Sequence, residues 1–238
     1  MLSAVGIDEH LGDPLPLDLA FRDQSGRPVR LRELVDGKNP VILSLAWYDC
    51  PMLCGLVLSG VLDSVRRLHR DPDRLRLLTI SFDRRDQPDN AAKRQQAVLG
   101  RTGDQGLATR WPFLVGGQPE IDALTRALGV RVAFDERTKQ FAHPSAIFVL
   151  TPEGRISRYL YGVSYPVKDL NLALLEAEAG RSGSSFERLL LTCFHYDPST
   201  RRYGPWLVGF FRAGSALILF MVTLVLLRLH RREREGRS

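Results

Sequence analysis

The chain has 238 residues, 44% of them hydrophobic, and a formal net charge of +6; it can bury one sizeable core with a smaller appendage to spare. Arg228, Arg231, Arg232, Arg234 and Arg237 crowd the C-terminus, and without them the body is nearly balanced, which argues against a nucleic-acid partner. Three cysteines are too few for a disulfide scaffold of this size and cannot all pair internally, so they read as chemistry first.

Residues 1–15, an N-terminal segment, carry neither a basic region nor an apolar run long enough for a signal peptide. From Pro16 to Leu31, two short apolar stretches flank "DQSGRP" and predict a hairpin. "PVILSLAWY" is a continuous apolar run bounded by "DGKN", hence a buried central strand, and Met52 to His69 repeats apolar residues with a helical period. "RLRLLTISF" predicts a second buried strand, "QPDNAAKRQQAVLG" a polar helix, "WPFLVG" a third short strand, and "QPEIDALTRALG" a helix opening on Pro and stopping at Gly129. "RVAFDERTKQFAH" and "SAIFVLTPEGRISRYLYG" predict further strands, the latter a hairpin turning on "TPEG"; "VKDLNLALLEAEAG" closes as a helix. Alternating strands and helices predict an α/β domain over 16–180 with a mixed central sheet covered on both faces.

Residues 181–205 read as a juxtamembrane connector. The segment from Trp206 to Leu229 is free of charge from Ala213 to Leu227. A helix of about 22 residues rises roughly 33 Å, the thickness of a bilayer's hydrocarbon core, so the segment is expected to span a membrane. The basic tail, 230–238, then lies in the cytoplasm and residues 1–205 on the far, periplasmic or extracytoplasmic side. That topology requires a targeting signal, so the start of the sequence is expected to be internal to a longer gene product.

Cys50 and Cys54 lie four apart in "WYDCPMLCG", the first at a strand's end and the second in the first turn of a helix. Reactive groups collect at the carboxyl ends of strands in α/β sheets. A helix N-terminus favours a thiolate, so at least one of the two is expected to have a depressed pKa. Two converging thiolates suit Cu(I) or Zn(II) and need a third ligand from elsewhere. His143, before the strand "SAIFVL", is the best placed of five histidines, although position alone leaves it open between a ligand and an ordinary loop histidine.

"WYDCPMLCG", "LTISFDRRDQPDNAAKRQ" and "HPSAIFVLTPEGRISRYLYG" together resemble the successive signatures of the Sco/SenC family over roughly residues 8 to 178. The resemblance implies a thioredoxin-like copper protein that helps assemble the copper centre of cytochrome c oxidase. It implies copper, as Cu(I) or Cu(II), on Cys50, Cys54 and His143, with a copper-containing oxidase subunit as partner; the expected span adds the membrane, and sulfurs that must stay reduced in an oxidising compartment add a thiol reductant. Cys50 and Cys54 can also close a disulfide, and the alternative is a thiol:disulfide oxidoreductase acting on cysteines of the oxidase subunit. Gly55 stands where the family usually has proline, and Ala142 where an acidic residue often precedes the histidine. Both departures bear on copper affinity and redox tuning rather than on the ligand set.

Asp83 and Asp86 match a family motif; helix capping and charge balance with Arg84 and Arg85 are the favoured roles, a role beside the metal the alternative. Tyr48 and Asp49 are expected to shape or hydrogen-bond the thiolates, with Asp83 a further residue around the site. Cys193 and His195, in "TCFHYDPSTRRYGPW", resemble a segment of a C-terminally membrane-anchored branch of Sco-like proteins. They are a candidate secondary soft-metal contact, with a buried structural cysteine as the blander role.

Overall fold

The computed structural model describes residues 5–182 except 52, 101 and 103, together with 196–197, 202–203 and 221. In chain order the elements are β1 (Gly6–Ile7), β2 (Ala20–Arg22), β3 (Pro28–Arg30), α1 (Leu31–Leu34), β4 (Val41–Ala46), α2 (Leu53–Arg67), β5 (Arg76–Ser81), α3 (Pro88–Leu99), α4 (Gln105–Arg110), β6 (Phe113–Leu114) and α5 (Gln118–Ala127). Then follow β7 (Val130–Arg131), β8 (Ala133–Asp135), β9 (Gln140–Ala142), β10 (Ala146–Leu150), β11 (Ile156–Tyr161), α6 (Val167–Glu178), β12 (Tyr196–Asp197) and β13 (Arg202–Tyr203). The chain divides into compact units Met1–Gly183 and Ser184–Ser238; in the second, β12 pairs antiparallel with β13.

A five-stranded sheet of order β11-β10-β4-β5-β6 forms the core of the first unit. β4, β5 and β6 run parallel, while β10 runs antiparallel to both β4 and β11. This mixed sheet with its flanking helices is a thioredoxin-like α/β fold. Every residue of β4 and β10 is buried, as expected of central strands read as unbroken apolar runs. Two hydroxyls interrupt that apolar layer and satisfy each other: Ser44 Oγ lies 2.9 Å from Thr79 Oγ1, which also accepts from Trp111 Nε1 at 2.8 Å. Gly60 on α2 is required by a close approach, because a Cβ there would meet the Val163 carbonyl oxygen at 2.1 Å.

Three sequence expectations change in detail. α4 stands where no helix was expected; Asp104 caps it by accepting from the Leu107 N–H. The third strand shortens to two residues, and Val115 bridges Arg22 instead. The stretch 131–143 does not join the main sheet: β7 pairs with β1, and β8 pairs with β9 as a separate hairpin. Among the described residues no helix is long and apolar enough to cross a membrane. The expected span 206–229, apart from Met221, lies outside the described residues, as do Cys193 and His195.

Candidate metal centre

β4 ends at Ala46, and the chain turns through Trp47 to Cys50, whose N–H donates to the Trp47 carbonyl at 3.1 Å. Pro51 follows and α2 starts at Leu53. This compact strand-to-helix turn gives each sulfur a backbone donor. The Cys54 N–H points to Cys50 Sγ at 3.5 Å and the Trp47 N–H to Cys54 Sγ at 3.4 Å. Both cysteines are reduced and buried, Cys54 almost completely.

His143 arrives from the other direction, at the exit of β9 and before β10. Its Nδ1 lies 3.0 Å from the Pro144 carbonyl, which can only accept, so a neutral ring carries its proton on Nδ1 and presents a lone pair at Nε2. Nε2 lies 3.4 Å from Cys54 Sγ, across 89 residues of sequence. The two sulfurs and one imidazole nitrogen all lie within 4.8 Å of one another. Metal bonds of roughly 2.0–2.3 Å to nitrogen and sulfur call for donors about 3.5–4 Å apart, so only a small contraction is needed to close the three on one ion. The donors are two soft and one borderline, the set suited to Cu(I) or Zn(II).

The electrostatics depart from the sequence expectation at Cys54. Burial pushes its thiol up from the ordinary 9.0 to about 12, against the lowering effect of the Trp47 N–H. The helix N-terminus does not win here because the sulfur lies under the first turn with one amide to solvate it. Cys54 is therefore a thiol in the metal-free protein. Burial lowers the pKa of His143, opposed by its bond to Pro144; the ring is neutral at pH 7, and Nε2 accepts from the Cys54 thiol, a proton that a bound metal would replace.

The residues expected around the thiolates are spent on other partners. Tyr48 turns its phenol into the sheet, where it donates to the Thr79 and Leu114 carbonyls at 3.2 and 2.8 Å, because the buried ring fits against Phe113. Its backbone serves the loop instead: the N–H donates to Asp86 at 3.0 Å and the carbonyl accepts from Arg94 Nε at 2.8 Å. Asp49 is exposed and accepts from Asn90 at 3.2 Å. Asp83 is buried but spent on Arg85, with contacts of 2.8 to 3.0 Å to both carboxylate oxygens. Charge balance is thus the role seen at Asp83. Asp86 caps no helix: it accepts from Tyr48 N–H and Ser81 Oγ, while Gln87 stands at the start of α3. Burial raises the pKa of Asp86, with its hydrogen bonds opposing.

Residues the sequence reading passed over complete the surroundings. Arg94 of α3 donates to the carbonyls of Tyr48 and Cys50, the latter at 2.8 Å. Phe82 stacks near His143 with ring centroids 5.0 Å apart and meets Phe141 edge-on at 5.3 Å. Nothing in local composition marks these residues, since their partners are distant in sequence. Gly55 is not demanded by space, because a Cβ would meet Arg94 at an ordinary 3.5 Å.

The SCO1/SenC family model matches residues 13–170. No curated protein matches the chain. Among solved structures, a candidate electron transfer protein from Aquifex aeolicus VF5 is 26% identical, with 74% of this chain and 98% of that chain covered and a TM-score of 0.63. Arabidopsis thaliana ScoI with copper bound is 17% identical over 71% of this chain and 98% of that chain, TM-score 0.54. BsSco, described by its disulfide switch and as a member of the Sco family of cytochrome c oxidase assembly proteins, is 21% identical over 72% and 99%, TM-score 0.54. The last two likenesses concern the fold.

Proposed function

Because the chain belongs to the SCO1/SenC family, we propose that it is a membrane-anchored copper chaperone delivering copper to the copper-containing subunit of a cytochrome c oxidase. Copper is its cargo, held by Cys50 Sγ, Cys54 Sγ and His143 Nε2. The observation that carries this reading is the convergence of those three donors, from two remote parts of the sequence, to within 4.8 Å. The copper-bound ScoI and the oxidase-assembly description of BsSco lend support from proteins of the same fold.

Loading exchanges the Cys54 S–H bond for a Cu–S bond, its proton leaving to water or to the donor's ligands, and adds a second Cu–S bond at Cys50. Nε2 needs no deprotonation, because its proton already sits on Nδ1 opposite Pro144. Delivery runs by ligand exchange: a target thiolate enters the open position of a three-coordinate ion before Cys50 or Cys54 leaves. The raised pKa of Cys54 favours reprotonation of the sulfur once copper has left it. In this reading residues 206–229 span the membrane, the arginine-rich tail is cytoplasmic, and the metal centre faces the periplasm. That oxidising compartment makes a thiol reductant an obligatory partner, since only the dithiol binds copper. Cys193 and His195 would then lie near the membrane as a secondary soft-metal contact.

One second reading has its own observation. Cys50 and Cys54 place their sulfurs within the same 4.8 Å group, and BsSco is described by a disulfide switch, so the pair suits dithiol–disulfide exchange with cysteines of the oxidase subunit. Mixing the copper-loaded full chain with the reduced, metal-free copper domain of an oxidase subunit, and separately the metal-free dithiol form of the chain with the oxidised domain, distinguishes the two. Chaperoning predicts copper on the reduced target; copper retained by the donor in the first mixture, with the target disulfide reduced and Cys50 and Cys54 oxidised to a disulfide in the second, would replace it by the exchange reading.

A further inference from the structure

The sulfur and nitrogen halves of the centre never touch in sequence, yet one short stretch reaches both. Residues 82–94, running from the end of β5 into α3, contact the cysteine loop at one end and the histidine hairpin at the other. Toward the sulfurs, Asp86 accepts from the Tyr48 N–H, Asn90 donates to Asp49, and Arg94 donates to the Tyr48 and Cys50 carbonyls. Toward the nitrogen, Phe82 lies against both His143 and Phe141. The Arg85 guanidinium lies 4.8 Å from the Phe134 ring centroid and 5.5 Å from that of Phe141. Phe134 and Phe141 face each other across the β8–β9 hairpin, centroids 4.9 Å apart, and Phe141 is two residues from His143.

We propose that Arg94 and Arg85 are positioning residues for the copper centre, Arg94 fixing the loop that carries the two sulfurs and Arg85 fixing the hairpin that carries the imidazole. This rests on the copper reading above. The geometry explains why arginine is used twice. At Arg94 a planar fork reaches two carbonyls of one turn, which a single ammonium cannot reproduce. At Arg85 the guanidinium is held on both oxygens of a buried carboxylate, Asp83, and in that pose covers two aromatic faces. The hairpin itself has only three-residue strands, so side-chain packing must hold what its backbone bonds cannot. Asp83, absent from the donor group, acquires a role as the anchor of Arg85. Removing partners that orient a ligand typically lowers metal affinity 10–100-fold.

The test uses the full chain loaded with Cu(II) for the spectra, and with Cu(I) as well for affinity, as wild type, Arg85→Ala, Arg85→Lys, Arg94→Gln and Arg94→Lys. Arg85→Ala is expected to weaken copper binding about tenfold and to reduce the imidazole nitrogen coupling in the electron paramagnetic resonance spectrum, leaving the thiolate-to-copper absorption. Arg94→Gln is expected to shift that absorption and leave the nitrogen coupling. Neither lysine variant should restore the wild-type signal. Wild-type affinity and spectra in Arg85→Ala or Arg94→Gln would overturn the proposal, as would rescue by lysine, which would make charge alone sufficient. Phe134→Leu, which spares Asp83, repeats the Arg85 arm if Arg85→Ala unfolds. Proton contacts between the Phe82 and His143 rings in the metal-free protein provide a readout independent of copper. They should be lost in Arg85→Ala and kept in Arg94→Gln. A wild type that binds no copper sinks the chaperone reading, and these contacts then still decide the positioning claim.

Discussion

The two halves of the metal centre are built to different standards. Cys50 and Cys54 hang from β4, a fully buried strand paired with β5 on one side and β10 on the other, and from the first turn of a 15-residue helix. His143 hangs from a two-stranded hairpin outside that sheet, held by Phe82, Phe134, Phe141 and Arg85. The sulfur half inherits its geometry from backbone hydrogen bonds and the core; the nitrogen half depends on a handful of side chains. A cargo site gains from this division: the two sulfurs set the grip until a target thiolate displaces them, and the imidazole stands on the less extensively bonded support.

Breaking the sulfur half should have the largest effect. Cys50→Ser or Cys54→Ser is expected to weaken Cu(I) binding on the order of 10²–10³-fold, one ligand's share of a typical site's binding energy; competition against a Cu(I) chelator measures it. His143→Ala should cost less, on the order of 10–100-fold, and leave exchange of the dithiol with glutathione intact. A loss equal to the cysteine variants would make the two halves equivalent and end the comparison.

Next comes pH. The Cys54 thiol, raised to about 12, holds its proton throughout the neutral range and must give it up to copper, so affinity rises with pH by at least tenfold per unit near neutrality. His143, lowered by burial, adds no proton of its own above its ordinary 6.5 and begins to compete with copper only on acidification below that. Chelator competition at pH 7 and pH 8 reads the slope; a flat profile would mean that the thiol is already ionised without metal.

The smallest effect on copper should come from a change to the sheet itself. Thr79→Val strips the Trp111 N–H of its acceptor and leaves Ser44 Oγ to its bond with the Leu78 carbonyl, which costs about 1–3 kcal/mol of stability. Denaturant unfolding should register that loss while copper affinity stays within about twofold, because neither half of the site moves. A tenfold drop in affinity would show the sheet and the site to be coupled more tightly than the contacts suggest.

How much of this was legible in the sequence follows the same division. β4, β5, β10 and α2 announce themselves through apolar runs and a helical period, signals that burial imposes along the chain itself. The cysteine loop followed, because strand end and helix start bracket it. The hairpin was legible as strands but not as a separate sheet, since pairing partners are a long-range property. α4 escaped because "DQGLATR" is short and contains a glycine; its cap at Asp104 was the one available clue. His143 could not be chosen by position alone and needed the family resemblance. Arg94 left no local trace, as its partners lie 44 to 46 residues away; the pairing of Arg85 with Asp83 was legible locally, but not its rings, Phe134 and Phe141, 49 and 56 residues away.

The most direct measurement is X-ray absorption of the reduced full chain carrying one equivalent of Cu(I), with copper stoichiometry determined on the same sample. One copper per chain bound by two sulfurs and one imidazole nitrogen is expected, with the nitrogen lost in His143→Ala. Failure to retain copper at one equivalent, or a wild-type spectrum unchanged by His143→Ala, would contradict a centre made of Cys50, Cys54 and His143.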